Sequence, residues 1–141
     1  MKDARVGRLA TVDRKNHVHV VPIVFANLGD RIYFVVDRKK KSGRELKRIR
    51  NISETGEVAL LIDHYSENWK SLSFLLVHCS ARVLSSGADS VEKRRAAKRL
   101  KEKYPQYSVG GYFPENLEEA IFVRLEPERV VFWQNLRGPP V

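Results

Sequence analysis

Read for its alternation of apolar and polar positions, the chain opens in strands. Residues 6–12, 17–26 and 31–36 are rich in Val, Ile and Phe and are separated by DRKN and NLGD, both turn-type clusters. That spacing predicts an antiparallel meander. The period then changes: Ser42 is followed three positions later by Glu45, the capping-box pattern, and then by Leu46, Ile49 and Ile52, which predicts a helix over 42–52. Beyond the breaker SETGE, two longer strands are expected at 58–65 and 71–84, joined at SENWK. SSGADS introduces a second helix over 90–103, in which Ala96, Ala97, Leu100 and Tyr104 form a narrow apolar stripe opposite basic side chains, and Pro105 ends it. Residues 106–117, with Gly110, Gly111 and Pro114, read as a loop, and last strands at 120–125 and 130–133 flank a turn at EPER.

The order βββαββαββ contains no internal repeat, linker or low-complexity segment. Hairpin-connected strands at the start, with no Gly-x-Gly-x-x-Gly or Walker pattern, argue against a parallel nucleotide-binding sheet and for a mainly β (α+β) antiparallel barrel with two helices. At 141 residues and 43% hydrophobic, one domain spanning 1–141 has enough apolar material for a core. No apolar stretch reaches about 18 residues and the first residues lack a signal-peptide core, so a cytoplasmic protein without a membrane partner is expected.

Charge sharpens this picture. Residues 38–50, RKKKSGRELKRIR, carry eight basic side chains against one acid, and 92–103 carry seven against two; outside these runs the chain is net acidic, although its formal charge is +9. A coat for nucleic acid is usually basic throughout, which argues against that partner. The second run reads as the solvated face of a helix. The first falls where a strand hands over to a helix start, where unpaired N–H groups and flanking cations suit a phosphate. An anionic small molecule held at one place is the expectation.

Other chemistry is sparse. Cys79, the only cysteine, sits in the alternating run LLVHCSARV and reads as a buried structural thiol. His17 and His19 share a strand face but no third ligand is signposted, so no metal site is expected. His78 alternates with apolar neighbours as a packed or interface residue would. Asp63, His64, Tyr65 and Trp69 cluster at a strand end, either as a polar terminus with an aromatic lid or as the rim of a ligand pocket. No nucleophile elbow or carboxylate pair is present, so a catalytic residue is not identifiable, and any enzyme activity needs a bound cofactor.

Three segments together, RVGRLATVDRKNHVHVVPIVFANLGDRIYFVVD, KKKSGRELKRIRNI and EVALLIDHYSENW, resemble the pyridoxamine 5'-phosphate oxidase-like flavin-binding split barrels, most closely their small deazaflavin-dependent branch. The resemblance implies a six- or seven-stranded split barrel and a homodimer with the cofactor, FMN or coenzyme F(420) (8-hydroxy-5-deazaflavin), in a cleft at the dimer interface. It implies that Lys39, Lys41, Ser42 and Arg44 grip the phosphate, that Val21, Pro22, Ile23 and Val24 back the ring, and that Asp63, His64, Tyr65 and Trp69 also belong to the cofactor-binding site. Trp133 on the last strand would close the pocket. Pro22 marks an edge or an interrupted ladder independently. Lys47, Arg48 and Arg50 are candidates for the longer anionic tail of the deazaflavin coenzyme. The C-terminal Arg and His segment of the true oxidase is missing, so vitamin B6 oxidation is not expected. The implied activity is hydride or electron transfer to a small organic acceptor, the alternatives being a flavin-binding module without turnover and a small basic nucleic-acid-binding barrel.

Overall fold

The computed structural model describes residues 3–37 and 46–135. Seven strands are present among them: β1 (Gly7–Val12), β2 (Val18–Ile23), β3 (Ala26–Leu28), β4 (Arg31–Val35), β5 (Glu57–His64), β6 (Ser73–Val83) and β7 (Phe122–Gln134). All pairings are antiparallel, in the order β2-β1-β5-β6-β7-β4-β3. The two edge strands, β2 and β3, are consecutive in the chain and joined only by Val24 and Phe25. A sheet whose opposite edges are tied by two residues must curl until those edges meet, and because no ladder joins β2 to β3 the barrel stays split along that seam.

The expected meander of three strands is therefore wrong in one respect. Residues 17–26 form two strands on opposite edges, because Phe25 leaves the ladder: its N–H donates to the Tyr104 hydroxyl (3.2 Å), which also lies 2.9 Å from the Phe25 carbonyl. A phenol 79 residues away takes the place of a neighbouring strand. At the other end, 120–125 and 130–133 are not two strands about a turn. They belong to the single strand β7, and Pro127 is accommodated opposite Cys79 where the register shifts beside His78.

Alternation sorts the side chains. Leu9, Leu60, Val77, Ile32, Phe34, Val123 and Leu125 fill the barrel with Phe25. Helix α1 (Lys47–Thr55) lays Ile49 and Ile52 on that core, with buried Asn51 donating to the Thr11 hydroxyl (3.0 Å). It starts later and ends later than expected; Leu46 is its N-cap, and the Ser42–Glu45 capping box lies outside the described residues. Gly56 closes it at φ 66°. Helix α2 (Ser90–Lys103) has the expected bounds, and its stripe, Ala96, Ala97, Leu100 and Tyr104, packs outside the barrel on Ala26, Tyr33 and Val35. Strand β4 is thus covered on both faces. A third, short helix, α3 (Gln106–Val109), lies where a loop was expected.

Candidate functional site

Pro22 ends the exposed face of edge strand β2, opposite Arg8 of β1. On the seam between the two sheet edges, Pro22, Ile23 and Val24 line a cavity of about 300 Å³ with Val6, Phe34, Val35, Asp37 and Arg48. Val21 does not line it and packs on the barrel core instead. Six of the lining side chains are apolar, and Asp37 and Arg48 are the charged ones. Asp37 accepts a hydrogen bond from the Tyr107 hydroxyl (3.1 Å), fixing the chain as it leaves β4. Burial and the neighbouring carboxylate both push that hydroxyl's pKa up. Arg48 comes from the first turns of α1, and its Nε is buried without a hydrogen-bond partner among the described residues. Burial lowers its pKa, an effect the Asp37 charge opposes. A buried, unspent guanidinium donor is costly unless something accepts from it.

In the chain, Asp37 immediately precedes the basic run 38–50 and Arg48 belongs to it. Lys39, Lys41, Ser42 and Arg44 lie outside the described residues. Of the three candidates for an anionic tail, Arg48 lines the cavity, Arg50 is exposed, and Lys47 is taken up by Asp13 (3.3 Å). Asp13 also accepts from the backbone N–H of His17 and Lys15, and these contacts hold its carboxyl well below the usual range. The His17 ring turns to Asp13 too (3.2 Å). Among the described residues no three His, Cys, Asp or Glu side chains are grouped as a metal site.

The remaining candidates sit elsewhere. Asp63 pairs with Arg8 (3.1 Å) on the outer sheet face, and His64, Tyr65 and Trp69 follow on the exposed end of β5 and the turn after it. None of these four lines the cavity. Trp133 stacks on Phe74 (5.7 Å between centroids) on the same outer face as Asp63. Cys79 is buried, which pushes its thiol up to about 11 and leaves it unreactive. The cavity residues Val6, Phe34, Val35 and Asp37 carried no sequence signal of their own; Phe34 and Val35 are ordinary strand residues, Val6 and Asp37 lie just outside strands, and the curl places them there.

The outer face is itself distinctive. Registers align Val18, Val20 and Pro22 of β2 with Ala10 and Arg8 of β1, Ala59 and Leu61 of β5, Leu76 and Phe74 of β6, and Val131 and Trp133 of β7. Val18 and Val20 are 69% and 58% exposed. Apolar groups thus recur on this face across five strands, interrupted by the Arg8–Asp63 and His78–Arg129 pairs.

An antiparallel barrel left split along one seam, with a cavity on that seam, defines the split-barrel class of proteins. The chain belongs to the pyridoxamine 5'-phosphate oxidase family, whose sequence model matches residues 1–134. Among curated proteins none matches its sequence. Solved structures are similar in fold: the haem storage protein HutZ of Vibrio cholerae (TM-score 0.69, 14% identity, 93% of this chain and 86% of that one), a FAD-binding protein of Mesorhizobium loti (0.66, 19%, 92% and 85%) and general stress protein 26 of Bacillus anthracis (0.61, 18%, 92% and 84%).

Proposed function

We propose that the chain is a homodimeric, flavin- or deazaflavin-dependent oxidoreductase acting on a small organic substrate. The observation that carries the reading is the seam cavity, lined by Val6, Pro22, Ile23, Val24, Phe34 and Val35 together with the unspent donor of Arg48, a member of the basic run. A flat ring would lie against Ile23, Val24 and Phe34, and a phosphate would take Arg48 together with Lys39, Lys41, Ser42 and Arg44. The bound cofactor supplies hydride transfer; the protein holds the ring, neutralises the phosphate and excludes water. The dimer is supported by the uncovered apolar face, which borders the cavity at Pro22, so a second copy seated there would roof the site.

Titration of apo-protein with FMN and with the deazaflavin coenzyme at two salt concentrations tests this. Saturable binding of one of them is expected, weakened by about 2–4 kcal/mol in the double variant Lys41→Ala, Arg44→Ala. Binding of neither, or a haem-type or colourless purified protein with strongly salt-dependent nucleic-acid binding, would overturn it. Single-turnover reduction of the bound cofactor separates an oxidoreductase from a module that only binds.

A further inference from the structure

Asp37 and Arg48 line the seam cavity together, an acid and a guanidinium in one half-buried recess, where the ordinary outcome is a charge-assisted hydrogen bond between them. Here no ion pair or hydrogen bond joins the two. The Arg48 Nε stays buried without a partner among the described residues, and Asp37 acts on the guanidinium through its charge rather than through a bond. What Asp37 accepts instead, at Oδ1, is the bond from the Tyr107 hydroxyl (3.1 Å).

Both ends of that bond are held firmly. Pro105 opens the short helix α3 directly after α2, and the Tyr107 N–H donates to the Tyr104 carbonyl (2.9 Å). The Tyr107 ring is buried and stands edge-on to Tyr104 (6.0 Å between centroids) and to Phe113 (5.0 Å). On the other side the Val36 N–H donates to the Ile121 carbonyl (2.9 Å), which fixes the backbone that carries Asp37. The phenol therefore sits where it can occupy the carboxylate that would otherwise neutralise Arg48. Leaving a buried guanidinium donor unmatched costs stability, and the arrangement keeps that cost available for an acceptor arriving from outside.

We propose that Tyr107 is a positioning residue of the seam cavity: its hydroxyl holds Asp37 off Arg48, so that the guanidinium stays open to an incoming oxyanion instead of closing on a carboxylate of its own chain. Without the hydroxyl, Asp37 turns onto Arg48 and an oxyanion has to displace it. The tether stands apart from the cofactor reading of the cavity, whereas its consequence for binding rests on that reading.

The proton–nitrogen correlation signal of the Arg48 Nε–H in cofactor-free protein tests the tether, the signal being assigned by its loss in Arg48→Lys. In Tyr107→Phe, which keeps the ring packing, it should move downfield as the proton gains a carboxylate acceptor, and Asp37→Asn added to that variant should return it. Asp37→Asn alone should leave the signal in place, and this arm holds even where Tyr107→Phe fails to fold. A Tyr107→Phe signal at the wild-type position, or an upfield move in Asp37→Asn alone, would overturn the tether. Titration then measures the consequence: Tyr107→Phe should weaken whichever of FMN and the deazaflavin coenzyme the wild type binds about tenfold, with Asp37→Asn restoring it to within about threefold. A loss that Asp37→Asn does not restore would make the role of Tyr107 structural and reject the positioning. Binding of neither cofactor by the wild type, with the Arg48 signal behaving as stated, would remove the cofactor reading and leave the tether established.

Discussion

Two side chains hold cations where a cation is badly solvated, and each makes a prediction. Arg48 offers a buried donor to the seam cavity with nothing described to accept it. Arg48→Ala should weaken cofactor binding by about 1.5–3 kcal/mol, the range for a hydrogen bond to a charged group, with folding retained; calorimetric titration checks it. Lys103 is a different case. Its Nζ is buried without a hydrogen-bond partner among the described residues, 4.0 Å over the Phe25 ring. Burial, helped by the nearby Arg5 charge, lowers its pKa to about 8. The unfolded chain then holds more protons than the folded one between about pH 8 and the ordinary lysine value near 10.4, so stability rises with pH across that window and the penalty is full below it. Lys103→Met should stabilise the protein at pH 7 by about 1 kcal/mol after allowance for solvent screening, and the advantage should vanish by about pH 10.5. Urea midpoints of both proteins at the two pH values measure this.

At the scale of the elements, caps and stripes decide what a sequence discloses. Helix α1 ends because Gly56 takes φ 66° and returns its N–H to the Ile52 carbonyl (2.9 Å). A Cβ there meets that left-handed strain and the Ala81 carbonyl at 3.4 Å, so Gly56→Ala should cost about 1–2 kcal/mol of unfolding free energy, read from the urea midpoint. Helix α2 was legible to the residue because its small apolar stripe and Pro105 are local signals. The break between β2 and β3 was not, since Ile23, Val24, Phe25 and Ala26 read as one apolar run and the interruption comes from Tyr104. Pro127 misled in the opposite direction: alone it reads as a turn, and only the register shift opposite Cys79 lets it stay inside a strand. The proposed anion site was half legible. Its charge was plain in residues 38–50, whereas the seam cavity exists only after the sheet curls.

For the whole molecule, the question is what covers the outer face. Leu61, Leu76, Val131 and Trp133 lie on one side of three adjacent strands, outside both buried clusters of the described residues, and the proposed dimer buries them. Sedimentation should give about twice the 16.3 kDa chain mass, and Leu76→Glu should halve it by placing a charge at the centre of the contact without touching the barrel interior. A variant that sediments as the wild type would locate the contact elsewhere. That face also explains a feature of the sequence: with one side on the barrel core and the other apolar too, the first half of β6 reads as an unbroken hydrophobic run, FLLV.

The two-residue tie between the sheet edges also constrains how the chain comes together in time. Strand β4 pairs with its neighbour β3 on one side, but its other ladder partner is β7, which starts 87 residues after β4 ends. During synthesis β1 and β2 can form a hairpin early, while β3 and β4 wait with an open edge until almost all of the chain has emerged. The barrel therefore closes last, with the arrival of its final strand. Chains cut short before β7 would present two unsatisfied sheet edges and aggregate, rather than fold to a smaller stable barrel.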